Sequence, residues 1–234
     1  MEVQGIIRPS KSSWNSPLLL VPRKSGKLRP VIDYRRLNKV AVSDHFPIPV
    51  ITDLLRDIGV GNHYFSAIDL TSGFWQMGLT ERSKQYTAFS TPNGHWEFER
   101  MPYGLKTSPI SFARLMNTVF HNMIGDVLLV YMDDLLIVSK TQEEHFQKLE
   151  LVFGRLREAN LLINIEKSKF FRSHLEFLGH EVCHEGLVTT DGKIKSVTNY
   201  PTPASVTDIK SFLGLVGFCR PFIPGFANIL SFKF

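Results

Sequence analysis

The chain has 234 residues, 43% hydrophobic and 21% charged, with a formal charge of +5, which excludes a disordered chain and fits one large domain or two small ones. No apolar run approaches the roughly 18 residues of a membrane-crossing helix, and no secretory signal opens the sequence. Cys183 and Cys219, the two cysteines, lack zinc-site number and spacing, so the expectation is a soluble intracellular protein with two buried thiols and room for a polyanionic partner.

The first 45 residues alternate basic and apolar positions around Pro9, Pro17, Pro22 and Pro30, which predicts short strands and loops. Ile51, Leu54, Leu55 and Ile58 predict a helix near 49–58, ended by Gly59 and Gly61. Residues 64–70 read as a buried strand, and 74–79 and 86–90 as extended pieces. Pro92-Asn93-Gly94 is a turn. Thr107-Ser108-Pro109 opens a helix whose stripe is Phe112, Leu115, Met116, Val119 and Phe120.

Residues 126–139 are apolar except for Asp126, Asp133, Asp134 and Ser139 at or between the ends. They predict a strand, a turn carrying both inner aspartates, and a second strand. A capping box at Thr141–Glu144 starts a helix with Phe146, Leu149, Phe153 and Leu156 inward, ending near Asn160. Strand-like segments follow at 161–165 and 175–182. Tyr200-Pro-Thr-Pro203 is the domain boundary, and Ile209, Phe212, Leu213 and Val216 mark one more helix. The chain stops at Phe234 in an apolar region, which predicts a C-terminal continuation. Hairpins rather than regular βαβ units argue an α+β fold.

Two adjacent anions against a core repel each other, and burial disfavours both. A cation would make Asp133 and Asp134 tolerable; a solvated turn would do so equally well. Asp69, ending an apolar strand, is the best third acid. Three such carboxylates could serve two magnesium ions in phosphoryl chemistry.

Tyr131-Met-Asp-Asp134 in its apolar hairpin resembles the catalytic box of reverse transcriptases. Further segments agree in order and spacing: Gly5-Ile-Ile-Arg-Pro-Ser10, Ser16-Pro-Leu-Leu-Leu-Val21, Asp33-Tyr-Arg-Arg-Leu-Asn38, Phe65-Ser-Ala-Ile-Asp-Leu-Thr-Ser-Gly73, Met101-Pro-Tyr-Gly-Leu105, Phe177-Leu-Gly-His180 and Ser211-Phe-Leu-Gly-Leu215. Together they resemble the reverse transcriptase domain of gypsy-type LTR-retrotransposon polyproteins, from about residue 4 to the end.

The resemblance implies a right-hand polymerase with a ferredoxin-like antiparallel palm. Fingers and palm would span 4–183, and the truncated start of a thumb 200–234. It implies RNA-directed DNA synthesis: transfer from a dNTP to a primer 3′-hydroxyl on an RNA or DNA template. Asp69, Asp133 and Asp134 match the metal-binding carboxylates, with the Leu70 carbonyl also facing a metal. Two Mg2+ ions, with Mn2+ as a substitute, are the implied cofactors.

Lys24 (with Arg23 as competitor) and Arg29 match residues that hold the triphosphate. Phe74 matches the ring that excludes a 2′-hydroxyl, and Tyr103 stands beside the sugar where Phe is more usual. Phe177, Leu178, Gly179 and His180 match the hairpin that grips the primer terminus. Pro221 replaces a more usual basic residue after Arg220, which weakens expected thumb contacts. No membrane partner is implied; the expected location is cytoplasmic, in a retroelement particle, with access to the nucleus. The rival readings are a truncated, non-catalytic nucleic-acid-binding remnant and an RNA-copying RNA polymerase, the latter disfavoured by Phe74. The sequence leaves oligomeric state open.

Overall fold

The structure is a computed structural model that describes residues 1–22, 26, 28–56, 58 and 60–230. Three strands come first, β1 (Ile7–Pro9), β2 (Leu18–Pro22) and β3 (Leu28–Ile32), then helices α1 (Arg35–Val40) and α2 (Ile51–Arg56). The middle of the chain runs β4 (Tyr64–Asp69), α3 (Glu81–Lys84), β5 (Phe89–Thr91), β6 (Gly94–Phe98), α4 (Ser108–Val119), β7 (Leu129–Tyr131) and β8 (Asp134–Ser139). There follow α5 (Gln142–Glu158), β9 (Lys169–Arg172), β10 (Leu175–Phe177), β11 (His180–Cys183), β12 (Gly186–Val188), α6 (Asp191–Thr198) and α7 (Val206–Phe218).

The centre is a four-stranded antiparallel sheet ordered β7-β8-β4-β9. Helix α4 connects β4 to β7 and α5 connects β8 to β9, a βαββαβ path of ferredoxin-like type. The fold is α+β, as expected. Period-two alternation sorts its side chains. Ile68, Leu135 and Ile137 pack with Phe112, Met116, Leu149 and Val152 of the two helices. Phe65 and Leu136 pack on the opposite face with Leu54, Leu55, Leu175, Phe177 and Val182. By the same alternation Asp69 and Asp134 belong to this second face, at the end of the sheet covered by the β10-β11-β12 sheet. A separate core of Ile32, Tyr34, Phe89 and Phe98 supports the β1-β6-β5 sheet and the β2–β3 hairpin. Among the described residues no helix is long and apolar enough to cross a membrane.

Several expectations need correction. Residues 73–76 form a 3-10 turn, launched by the left-handed Ser72 (φ 48°), where an extended segment was expected. Residues 85–87 are likewise a 3-10 turn, after a short α3 that the sequence reading lacked. Residues 161–165 make only the isolated bridge Leu70–Ile163, and the strand that borders β4 is β9. Asp134 begins β8, so the turn proper is Met132-Asp133, with Met132 left-handed at φ 54°.

On α5, Phe146 is 56% exposed and His145 is fully buried. The inward face is rotated because His145 has partners inside: Ser66 Oγ at 2.7 Å and Ser139 Oγ at 2.5 Å. Thr107 makes no side-chain cap, while the Ser108 hydroxyl donates to the Pro102 carbonyl. Cys219 is buried but Cys183 only half-buried. The expectation for Gly59 as a helix stop lies outside the described residues.

Candidate active site

The three aspartates lie where β4 ends and β8 begins. Asp69 faces Asp134 directly in the β4–β8 register, and Tyr131 pairs with Asp134 to close the two-residue hairpin around Asp133. The 3-10 turn after β4 lies hard against that hairpin: a Cβ on Gly73 would meet Asp133 Cβ at 3.2 Å and Phe112 Cζ at 3.1 Å. Glycine at 73 therefore sets how closely the loop after Asp69 approaches Asp133.

Residues 162–168 hold the other side of Asp69. Its N–H donates to Ser168 Oγ (3.1 Å), and its carbonyl accepts from Asn164 N–H (2.8 Å). Thr71 N–H donates to the Leu162 carbonyl at 2.9 Å. These bonds flank Leu70–Ile163 as a non-hydrogen-bonded antiparallel pair, so the N–H and carbonyl of Leu70 point the other way, toward the aspartate hairpin.

Asp69, Leu70 and Asp133 line a cleft of about 760 Å3 together with Arg29, Trp75 and Tyr103. Asp134 opens instead into a smaller recess of about 170 Å3, shared with Asp69, Lys169, Phe177 and Leu178. Asp69 and Lys167 border both. Successive positions at a strand start project to opposite sides, which is why sequence neighbours part company here. Among the described residues no three acid, His or Cys side chains converge into a ready-made metal cage. An open set of oxygen donors still fits magnesium, which takes one or two carboxylates and completes its shell with water and substrate phosphate.

Burial, and then Asp133 and Asp69, push the Asp134 carboxyl up to about 6. Lys167 opposes them, its Nζ lying 3.6 Å from Asp69 Oδ1. The site thus holds excess negative charge that one exposed lysine only partly offsets.

Phe74 and Tyr103 are brought together. Phe74 lies 5.0 Å from the Tyr103 ring and 5.5 Å from Phe112 (centroids). The Arg29 guanidinium sits over Tyr103 at 5.6 Å, a cation–π contact reaching from the β2–β3 hairpin to the loop between β6 and α4. Burial raises the Tyr103 hydroxyl's pKa, as does Asp133, while Arg29 lowers it. Lys24 and its competitor Arg23 lie outside the described residues.

Phe177 and Leu178 reach the recess beside Asp134. Leu178 (φ 50°) and Gly179 (φ 78°) form the left-handed two-residue turn between β10 and β11, a hairpin geometry that favours glycine. His180 instead packs on Phe222, with ring centroids 5.8 Å apart.

Four residues at the site escaped the sequence reading. Lys167 and Ser168 lie just beyond the 161–165 segment read as strand. Gln76 bonds both Thr71 and Leu162. The Trp75 indole N–H, in the cleft wall, is a buried donor with no partner among the described residues. A tryptophan and a glutamine beside a motif glycine were the available signals.

Residues 21–182 match the model of the reverse transcriptase (RNA-dependent DNA polymerase) family. The chain belongs to that family. This reverse transcriptase domain is 42% identical over 231 residues to the Pol polyprotein of transposon 297 from Drosophila melanogaster, covering 97% of the chain and 22% of the polyprotein. It is 37% identical to that of transposon gypsy from the same organism, covering 96% and 22%. The domain therefore spans about a fifth of the length of these relatives. Its fold matches a foamy viral protease-reverse transcriptase in complex with double-stranded DNA, with TM-score 0.89 and 31% identity over 98% of this chain and 40% of that one. The same viral protein with an RNA/DNA hybrid gives 0.83 and 31%, covering 97% and 30%. These neighbours bear out the polymerase fold and the gypsy-type resemblance.

Proposed function

We propose that this chain carries out RNA-directed DNA synthesis, joining a dNTP to a primer 3′-hydroxyl on an RNA or DNA template. The observation that carries the reading is Asp69, opposite Asp134 in the β4–β8 register, sharing with Asp133 a cleft lined by Arg29 and Tyr103, with Phe74 packed against the Tyr103 ring. Family membership and the nucleic acids bound by the foamy viral protein support it. Residues 4–183 act as fingers and palm, and 200–234 as the start of the thumb.

Arg29, freed from the Tyr103 face, offers a fork of donors to the triphosphate. Phe74, held by Tyr103 and Phe112, underlies the sugar and leaves no room for a 2′-hydroxyl. The β10–β11 turn at Phe177–His180 supports the primer end over Asp134. Asp69, Asp133, Asp134 and the Leu70 carbonyl would hold magnesium, with manganese as a substitute. Two such ions, when bound, supply charge neutralisation and activation of the attacking hydroxyl. The protein's remaining task is positioning.

The test is primer extension on a primed RNA template with dNTPs and Mg2+, beside an Asp133→Asn/Asp134→Asn double variant. Synthesis by the parent and none by the variant supports the polymerase. Template binding without synthesis by either supports a non-catalytic remnant.

A further inference from the structure

The ladder that fixes Asp69 is missing one bond, and a side chain fills the gap. Thr71 and Leu162 are the next pair beyond Leu70–Ile163. Such a pair exchanges two hydrogen bonds, and Thr71 N–H does donate to the Leu162 carbonyl at 2.9 Å. The return bond is carried through the carboxamide of Gln76. Leu162 N–H donates to Gln76 Oε1 at 2.6 Å, and Gln76 Nε2 donates to the Thr71 carbonyl at 2.8 Å. The same Nε2 also donates to the Leu162 carbonyl at 2.9 Å. One side-chain amide thus stands in for a strand residue between two backbones.

We infer that Gln76 is a positioning residue for the metal-binding end of β4, acting through the Thr71–Leu162 rung to fix Asp69 and the Leu70 carbonyl; the inference rests on the polymerase reading above. The 3-10 turn of residues 73–76 is what delivers the amide to that gap. The segment it clamps also carries Asn164 and Ser168, which bond the Asp69 backbone, and Lys167, which faces the Asp69 carboxylate. Without the amide, the Leu162 N–H and Thr71 carbonyl lose their partners and both walls around Asp69 are released. Leucine matches the size of Gln76 but offers neither bond. Glutamate keeps the acceptor and sets an anion against two carbonyls. Asparagine keeps the amide but falls one methylene short.

The experiment compares the parent with Gln76→Leu, Gln76→Glu and Gln76→Asn in three measurements. These are steady-state primer extension against dNTP and Mg2+, Mn2+ binding by electron paramagnetic resonance without nucleotide, and amide hydrogen exchange over 69–72 and 160–168. Loss of a group that orients metal ligands lowers activity or metal affinity by about tenfold or more. The expected result for Gln76→Leu and Gln76→Glu is therefore a kcat about tenfold lower with KM for dNTP within about twofold, and Mn2+ affinity weakened by about tenfold. Exchange should accelerate at Leu162 and Asn164, with Gln76→Asn failing to rescue. Should Gln76→Leu not fold, Gln76→Glu and Gln76→Asn decide.

Parent-like kcat and Mn2+ affinity in the folded variants would overturn the inference, even with lower melting points, because Gln76 would then only stabilise the fold. A parent that binds Mn2+ but makes no DNA would refute the polymerase reading; loss of Mn2+ affinity in the variants would still uphold the role of Gln76 at Asp69.

Discussion

Asp69 and Asp134 are a cross-strand pair of like charge, and the backbone bonds of Asp69 turn away from β8 toward Asn164 and Ser168. The pair is therefore of the non-hydrogen-bonded kind, in which facing side chains approach most closely. The fold bears this repulsion at a place where a cation would relieve it.

Asp134→Asn should therefore stabilise the protein while abolishing synthesis. An acid whose folded pKa is raised, here to about 6, favours the folded state below the unfolded value and loses that contribution as pH rises through the folded one. At pH 7.5 without divalent ions the asparagine variant should gain about 1–2 kcal/mol, after discounting for solvent at this partly exposed group. That corresponds to a melting point about 2–6 °C higher. Thermal melts in chelator check it, and a variant no more stable than the parent would refute the argument.

Gly73→Ala tests the approach between the 3-10 turn and the hairpin. The new methyl meets Asp133 Cβ and the Phe112 ring within 3.2 Å, so one of them must shift. Both are rooted in packed elements, and overpacking of this kind costs about 1–3 kcal/mol. Extension should fall, by well under the roughly hundredfold that a misplacement of about 1 Å costs, because the neighbour has to give by only a few tenths of an ångström. Parent-like kcat would show that Asp133 gives way harmlessly.

The ferredoxin-like centre was legible because its elements bury continuous apolar stripes. The aspartate hairpin stood out as charge within such a run. What escaped the sequence reading was set by tertiary partners. Phe146 and His145 compete for the inward position on α5, and hydropathy favours phenylalanine; the hydroxyls of Ser66 and Ser139, distant in sequence, reverse that choice. Residues 161–165 have strand composition, yet Gln76 takes the place of a backbone rung there. Asp133 and Asp134 read as one unit, and only strand alternation divides them between two cavities.

Phe74→Val should admit ribonucleotides. The ring is clamped between Tyr103 and Phe112, so it cannot swing aside for a 2′-hydroxyl without breaking two aromatic contacts worth about 0.5–1.5 kcal/mol each. Valine removes the obstruction while leaving Tyr103 in place. Primer extension with rNTPs should rise at least about tenfold relative to dNTPs, a discrimination near 1.4 kcal/mol. Unchanged selectivity would reassign Phe74 to the core alone.

His145 gives the fold an acid-sensitive joint remote from the aspartates. Its two ring nitrogens engage Ser66 on β4 and Ser139 on β8, and Ser66 Oγ also accepts the Phe171 N–H from β9. Burial, and secondarily Lys148, lowers its pKa to about 4, with Glu144 opposing. The folded protein therefore keeps the ring neutral while the unfolded chain protonates near 6.5. Stability from this joint is complete above pH 6.5 and is lost as pH falls to 4, with a total on the order of 3 kcal/mol. Asp134 titrates with the opposite sign in part of this window, so the parent's curve alone mixes the two. Subtracting the curve of His145→Gln, whose amide donates and accepts as the neutral ring does, isolates the histidine. The difference in unfolding free energy should climb between pH 4 and 6.5 and then level off; a flat difference would mean that His145 does not resist protonation in the folded state.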